Sequence, residues 1–335
     1  MGATVLLAHG SGGLMARELL EGLFLRHLGD SELHALEDAA VLDPVDGRLA
    51  LTTDSYVVQP LFFPGGDIGK LAVCGTVNDL AMRGAVPLYL TVGFILEEGL
   101  PMDDLERVVA SLAATAREAD VRIVAGDTKV VGRGAADRLF VNTAGAGIVP
   151  PGIQISARNA RPGDQVLVNG AVGDHGLAIM TQRHGLRFES PIQSDCAPLS
   201  GLVQAMLTAC PSVHVLRDAT RGGLAAVLNE IAGQSRVGIT VHEGAIVIHE
   251  AVAAACEVLG LDPLYAANEG KLVAIVPGDA ATTVLDVMRA HPLGAEAAII
   301  GEIETAHPGA VVLRTAFGTQ RLLDMPAGEL LPRIC

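Results

Sequence analysis

Two spacings of apolar residues take turns along the chain. The clearest is helical: Leu105, Val108, Val109, Leu112, Ala113 and Ala116 recur at i, i+3 and i+4, with Asp103 and Asp104 in the favoured first turn. That helix ends near Asp120, and residues 121–125 follow as a strand. Upstream, Leu14, Leu19, Leu20, Leu23 and Phe24 predict a first helix, 66–83 has helical spacing, and 87–97 is a β-rich run bounded by Pro and Gly. Residues 39–60 read as two strands about Pro44-Val45-Asp46-Gly47, a hairpin signal. A further strand covers 139–149.

Both periods break at Pro150-Pro151-Gly152 and again over 158–164, which puts a domain boundary at 152/153. Beyond it come a strand at 165–169, helices at 174–184, 199–210 and 224–232, and a strand at 272–276. Each half reads as α/β or α+β, with sheet on one side and helices on the other. The predicted plan is an N-terminal domain, 1–152, a C-terminal domain, 153–320, and a tail, 321–335. The tail holds Pro326 and Pro332 and no period, so it reads as mobile.

At 335 residues the chain is long enough for two domains with sizeable cores. The net charge of −15 would repel a phosphate backbone and excludes nucleic acid as the expected partner. The N-terminus has no basic n-region and no apolar run reaches membrane-spanning length, so the expected location is the cytoplasm, with no membrane partner. Five scattered cysteines form no CxxC pair. Cys74, Cys196, Cys210 and Cys256 read as buried thiols, whereas Cys335 is the last residue, a position that packing does not explain.

Several motifs carry chemistry. His9-Gly10-Ser11-Gly12-Gly13 stands before an apolar-periodic helix and serves equally well as a phosphate cradle or a plain glycine-rich turn. It is not a Walker loop, and neither is Gly65-Gly66-Asp67-Ile68-Gly69-Lys70, where Leu71 follows the lysine. Carboxylates recur at predicted strand ends: Asp38 before the first strand, Asp54 after Leu51-Thr52-Thr53, Asp127 after residues 123–126, and Asp218 after residues 213–217. Asn78-Asp79 lies in a Gly-rich helical stretch. Any one of these could be a cap or turn former, but five beside Gly or Thr point to a hard cation with phosphate co-ligands. Lys129 lies two residues past Asp127, a compact cation suited to phosphate. Glu269 is either a general base or half of a pair with Lys271. Asp218-Ala219-Thr220-Arg221-Gly222-Gly223 is a second anion-binding turn, and Cys335 on a Pro-rich arm suits a thiol carrier.

The sequence resembles the HypE family of hydrogenase maturation proteins, carbamoyl dehydratases of the PurM-like (AIR synthetase-like) superfamily. The resemblance runs end to end. It rests on the His9–Gly13 loop, Thr52-Thr53-Asp54-Ser55-Tyr56-Val57-Val58, Gly75-Thr76-Val77-Asn78-Asp79-Leu80-Ala81-Met82, Gly126-Asp127-Thr128-Lys129-Val130-Val131, Gly173-Asp174-His175-Gly176, the Asp218–Gly223 turn and the terminal Pro332-Arg333-Ile334-Cys335. It implies a two-domain PurM-like architecture with a flexible C-terminal tail, dimerisation through the N-terminal sheet, and ATP with Mg2+ in the cleft. It also implies a reaction. A HypF-like carbamoyltransferase loads Cys335, the carboxamide oxygen attacks the γ-phosphate, a base takes an amide proton, and a thiocyanate remains with ADP and phosphate. The cyanide then passes to iron in a HypC-HypD-like complex, for [NiFe]-hydrogenase. The roles implied are metal binding for Asp38, Asp54, Asp79 and Asp218, and nucleotide binding for His9, Gly10, Ser11, Gly12, Gly13, Asp54, Asn78, Asp79, Asp127, Thr128, Arg221 and Gly222. Lys129, Glu269 and Cys335 take the catalytic roles. The rival readings are a selenophosphate synthetase, which carries a reactive Cys or Sec in the N-terminal Gly-rich region where this chain has no cysteine before Cys74, a thiamine-phosphate kinase-like enzyme, and a non-catalytic nucleotide-binding scaffold.

Overall fold

The computed structural model describes residues 3–335 apart from 12, 30, 35, 37, 38, 187–191, 327, 329, 330, 332 and 333. Its N-terminal half is built on a four-stranded sheet of β1 (Arg48–Tyr56), β2 (Val86–Glu97), β3 (Arg122–Val131) and β4 (Leu139–Val149), in the order β1-β4-β2-β3. Helices α1 (Ile68–Ala81) and α2 (Met102–Glu118) cover one face. Helix α2 buries Leu105, Val108, Val109, Leu112 and Ala116, the stripe expected from its spacing. Helix α1 is buried almost all round, twelve of its fourteen residues, because it lies between this sheet and the C-terminal half. Asp67 caps it, accepting from the Gly69 and Lys70 amides.

The C-terminal half contains β5 (Gln165–Val168), α3 (Asp174–Arg183), α4 (Ser200–Ala209), β6 (Val215–Asp218), α5 (Gly223–Ser235), β7 (Gly238–His242), α6 (Glu250–Leu259), β8 (Leu272–Val276), α7 (Ala281–Ala290), β9 (Ala298–Glu304), β10 (Val311–Arg314) and β11 (Gln320–Leu322). Its strands form one sheet in the order β11-β10-β7-β9-β5-β8-β6. Two of the three apolar cores cross between the halves. One joins Leu71 and Val73 of α1 to Leu177 of α3 and Ile334 of the tail, and another joins Leu80 of α1 to Leu202 of α4 and Met288 of α7. Helix α1 is therefore the seam of the molecule, and residues on it face both domains.

Two expectations are corrected. No hairpin forms over 39–60: residues 40–45 have no regular structure, and β1 pairs along its whole length with the distant β4, from Arg48↔Val149 to Tyr56↔Val141. Nine antiparallel pairs outweigh a local turn signal. Second, Asp54 and Asp127 do not end strands. Strand β1 runs on to Tyr56, and β3 runs through Gly126 to Val131 because Lys129, Val130 and Val131 pair with Ile95, Leu96 and Glu97. In this structure part of the tail packs against the body of the molecule. Leu323, Leu331 and Ile334 are buried, and β11 takes residues 320–322 into the sheet. Their uneven spacing leaves no period to read.

Candidate active site

Strand β1 turns Thr52, Asp54 and Tyr56 towards α1. The Thr52 hydroxyl donates to Asp79 Oδ2 at 2.6 Å, and the Tyr56 hydroxyl donates to Asp54 Oδ2 at 3.3 Å. Strand and helix come this close because residue 75 is glycine: a Cβ there would lie 2.2 Å from the Tyr56 oxygen. Burial raises the Asp54 carboxyl above its ordinary range, and the neighbouring Asp79 charge raises it further, with Arg221 pulling the other way. Burial and the Asp54 charge push the Tyr56 phenol well up.

The C-terminal half delivers two more carboxyls to the same place. Leu272 at the start of β8 pairs with Asp218 at the end of β6, and the Ala219 amide donates to the Lys271 carbonyl at 3.0 Å, so the loop carrying Glu269 lies against the Asp218 turn. Asp218 is pushed up to about 7 by burial, then by the charges of Asp79 and Asp54. Glu269, 4% exposed, is raised well above the carboxylate range by burial and then by Cys196, Asp218, Asp195 and Asp54. Asp54, Asp79, Asp218 and Glu269 thus form one electrostatically coupled group drawn from both domains. Glu269 and Lys271 form no pair among the ion pairs of the described residues: Lys271 meets Asp195 at 3.2 Å.

Asp195 escaped sequence reasoning. Burial opposes its charge, yet the Lys271 ammonium and the Glu269 amide hold its carboxyl below the usual range. It accepts from the amides of Glu269 and Gly270 at 3.1 and 3.0 Å, fixing the loop that presents Glu269. Asn78, expected at the nucleotide, is committed elsewhere. Its Nδ2 donates to the carbonyls of Ala197 and Glu269, and its Oδ1 accepts from the Leu199 amide at 2.7 Å. It clamps the C-terminal half onto α1. The sequence signal for Asp195 is only the polar run Ser194-Asp195-Cys196, without motif spacing.

The chain terminus lies between the two halves, bonded to Val57 and His175. The Val57 amide donates to the Cys335 carbonyl at 3.1 Å, and the Ile334 carbonyl accepts from His175 Nε2 at 2.7 Å. Cys335 is half-buried at the end of the strand that carries Asp54, while Cys74, Cys196, Cys210 and Cys256 are buried, as expected of ordinary thiols.

A second group lies apart. Asp127 pairs with Gly93, Gly93 with Asn142, and Asn142 with Ser55, so Asp127 shares the outer face with Ser55, opposite to Asp54. Three ladder steps put β3 roughly 14 Å from β1. Lys129 meets Asp127 at 2.8 Å with both side chains largely exposed, and hydrogen bonding to Lys129 holds Asp127 below the carboxylate range. His9, Gly10, Asp127, Thr128 and Lys129 line a cavity of about 630 Å³ beside the N-terminal helices. Gly10 is required by packing, since a Cβ would lie 2.7 Å from the Val130 nitrogen. His9 Nδ1 accepts from the Leu6 amide and the Ser11 hydroxyl donates to the Ala8 carbonyl, so both hold their own turn. Gly13 precedes a six-residue helix, Leu14–Leu19. Arg221 is exposed beside Asp54, and Gly222 takes the left-handed conformation, φ 77°, that caps α5. Gly12 and Asp38 lie outside the described residues.

Among the described residues, no three His, Cys, Asp or Glu side chains are already assembled as a metal cage. The donor set of Asp54, Asp79 and Asp218 nevertheless fits a magnesium ion. It is all-oxygen, its charges repel one another in the absence of a cation, and magnesium is ordinarily held by one or two carboxylates completed by phosphate and water. No helix among the described residues is long and apolar enough to cross a membrane.

The family model described as "AIR synthase related protein, N-terminal domain" matches residues 36–149, and that described as "AIR synthase related protein, C-terminal domain" matches 161–314. The chain is 54% identical over 332 residues to the carbamoyl dehydratase HypE of Azotobacter vinelandii, covering 99% of this chain and 97% of that one. It superposes on a crystal structure of hydrogenase maturation protein HypE in complex with ATP with a TM-score of 0.96, 53% identity and coverage of 99% and 100%. A crystal structure of a HypE-HypF complex gives a TM-score of 0.81, 51% identity and coverage of 92% and 99%. With two AIR synthase related domains, a coupled carboxylate group between them and these full-length relatives, the chain belongs to the HypE family of carbamoyl dehydratases.

Proposed function

We propose that this chain dehydrates an S-carbamoyl group on Cys335 to a thiocyanate at the expense of ATP, supplying cyanide for the iron of [NiFe]-hydrogenase. The observation that carries the reading is the seating of the C-terminal cysteine, through main-chain hydrogen bonds, at the end of the strand that carries Asp54. The carbamoyl dehydratase relatives and the ATP complex support it.

The reaction balances as S–C(=O)–NH2 plus ATP giving S–C≡N, ADP and phosphate. The carboxamide oxygen attacks the γ-phosphorus and ADP leaves. Both N–H protons are lost, one to a base and one to the departing phosphate, the C–O bond breaks, and the oxygen leaves in phosphate. Asp54, Asp79 and Asp218 would hold magnesium, which supplies charge neutralisation at the phosphates. Glu269 is the base that takes the amide proton. Its raised affinity for a proton suits that step. Asp195 and Asn78 keep its loop in place.

The open face of the N-terminal sheet exposes Leu51 (71%), Leu49 (61%), Ile95 and Val86, an apolar surface that suits a second copy. The functional unit is accordingly a homodimer. Asp127 and Lys129 project from that face, so they meet the phosphates at the dimer seam. Partners are a HypF-like carbamoyltransferase, in line with the HypE-HypF complex, and a HypC-HypD-like iron carrier. A cytoplasmic reaction is in keeping with the use of ATP and of free thiols.

Intact-mass measurement with the carbamoyltransferase, before and after ATP, tests the reading. Cys335 should gain one carbamoyl group and lose one water only with ATP, and Cys335→Ala should do neither. ATP hydrolysis with an unmodified tail would leave a small-molecule phosphotransfer enzyme as the better reading, and ATP binding without turnover a scaffold.

A further inference from the structure

The sequence Gly173-Asp174-His175-Gly176 takes no part in the scheme above, yet it meets the tail directly. His175 is wholly buried, and its Nε2 lies 2.7 Å from the Ile334 carbonyl, an atom that can only accept. Nε2 therefore carries the proton. Nδ1 is then the acceptor, and the Ser194 hydroxyl donates to it at 2.8 Å while accepting from the Cys196 amide at 3.1 Å. The Phe63 ring meets the imidazole edge-on at 5.4 Å and fixes its plane. Burial keeps the ring neutral.

The next residue makes room for the tail. A Cβ at Gly176 would come within 2.9 Å of Leu331 Cδ1 and 3.0 Å of the Ala267 nitrogen. The turn is also wired to the base. Asn268, fully buried beside Glu269, accepts from the Gly173 amide at 2.7 Å and donates to the Ala219 carbonyl at 2.8 Å. One asparagine thus ties the tail-binding turn to both the Asp218 turn and the Glu269 loop.

We propose that Gly173–Gly176 is the receptor for the C-terminal tail and that His175 is the positioning residue that latches it, setting how often Cys335 is in the cleft rather than in the open. The inference rests on the dehydratase reading for its purpose, though not for its geometry. His175 and Val57 both grip carbonyl oxygens of the tail main chain, so the grip is indifferent to what Cys335 carries: a thiol, a carbamoyl group or a thiocyanate. Ile334, 2% exposed, supplies the apolar anchor. A carrier must also leave, and neutral main-chain hydrogen bonds from His175 and Val57 with a short apolar anchor make a grip of modest strength, suited to exchange between two sites.

The test is the alkylation rate of Cys335 by a bulky maleimide in the full-length protein without ATP or partner, read by intact mass; the other four thiols are buried. His175→Ala should raise that rate at least several-fold, and His175→Gln, whose amide can donate to the same carbonyl, should restore most of it. In single-turnover assays His175→Ala should slow ATP-dependent loss of water from the carbamoylated chain by a similar factor, with loading by the carbamoyltransferase and the KM for ATP unchanged. Equal alkylation and dehydration rates in wild type and His175→Ala overturn the latch. If His175→Ala does not fold, Ile334→Ala makes the same measurement from the tail side, with the same two outcomes. A wild type that forms no thiocyanate overturns the dehydratase reading, while the alkylation series still decides the latch.

Discussion

Asp54 and Asp127 lie in the same four-stranded sheet, one ladder row apart in register, and their surroundings are opposite. Asp54 faces inward, where burial and Asp79 raise its carboxyl, and Asp218 and Glu269 stand beside it in the same condition. Asp127 faces outward in a largely exposed pair with Lys129 that holds its carboxyl down. The inner group is held together by the fold against its own charge, so it is stabilised by a cation or a proton. The outer pair is already satisfied and depends little on either. Burial without a counter-charge marks the site where ligand chemistry is expected.

The largest effect should come from the inner group. Glu269→Gln keeps the shape of the loop and removes the base, so the dehydration step should fall about 10²–10⁴-fold while ATP binding persists. Single-turnover mass analysis of the carbamoylated chain measures the first, and nucleotide titration the second. A rate within a few-fold of wild type would move the base elsewhere and reduce Glu269 to a packed carboxyl.

Next comes the outer face itself. Leu51→Glu puts a charge in the middle of the exposed apolar surface and should turn a dimer into a monomer in sedimentation, with the fold intact by circular dichroism. An unchanged dimer would put the interface elsewhere and free Asp127 and Lys129 from any seam.

How much of this was legible beforehand depends on whether a contact is local. Helix α2 and the buried strand β8 were readable because their apolar residues carry a clean period or a continuous run. Helix α6, Glu250–Leu259, went unread because its alanines give weak contrast. Asp54, Asp79 and Asp218 could be gathered with Asp38 and Asp127 as one theme, since the residue type suffices, while Glu269 was read apart from them. That Asp127 and Lys129 face the other way could not, because facing follows from register, and β1 finds its partner some ninety residues away, as in Asp54↔Thr143. His175 and Asn78 were legible only as motif letters, and Asp195 not at all. Their hydrogen-bond partners lie 159, 121 and 74 residues distant.

The comparison also predicts opposite pH behaviour. Asp218 moves from 3.8 to about 7 on folding, so the native state binds its proton more tightly than the unfolded chain. The resulting stabilisation is present below the unfolded value and is lost as pH rises towards about 7; Asp54 and Glu269 add to it in the same direction. Without nucleotide or metal, the melting temperature should therefore fall between about pH 4 and about pH 7. Asp218→Asn should flatten that slope and melt higher than wild type at the upper end. A steeper slope in the variant would show that Asp218 is ionised and satisfied in the native state.

The smallest effect belongs to the outer pair. Asp127→Asn breaks a 2.8 Å ion pair whose side chains are 65% and 68% exposed, so water and salt already screen most of the attraction. Its cost should stay under about 1 kcal/mol. The sign with pH is also reversed: the depressed Asp127 carboxyl contributes stability above its unfolded value and loses it only as pH falls through the folded one, so any difference from wild type should vanish in acid. Thermal melts at low and high salt check both points. A destabilisation well beyond that figure, or one that persists in salt, would mean that Asp127 is braced by more than Lys129. The contrast between a strained inner group and a satisfied outer pair would then fail.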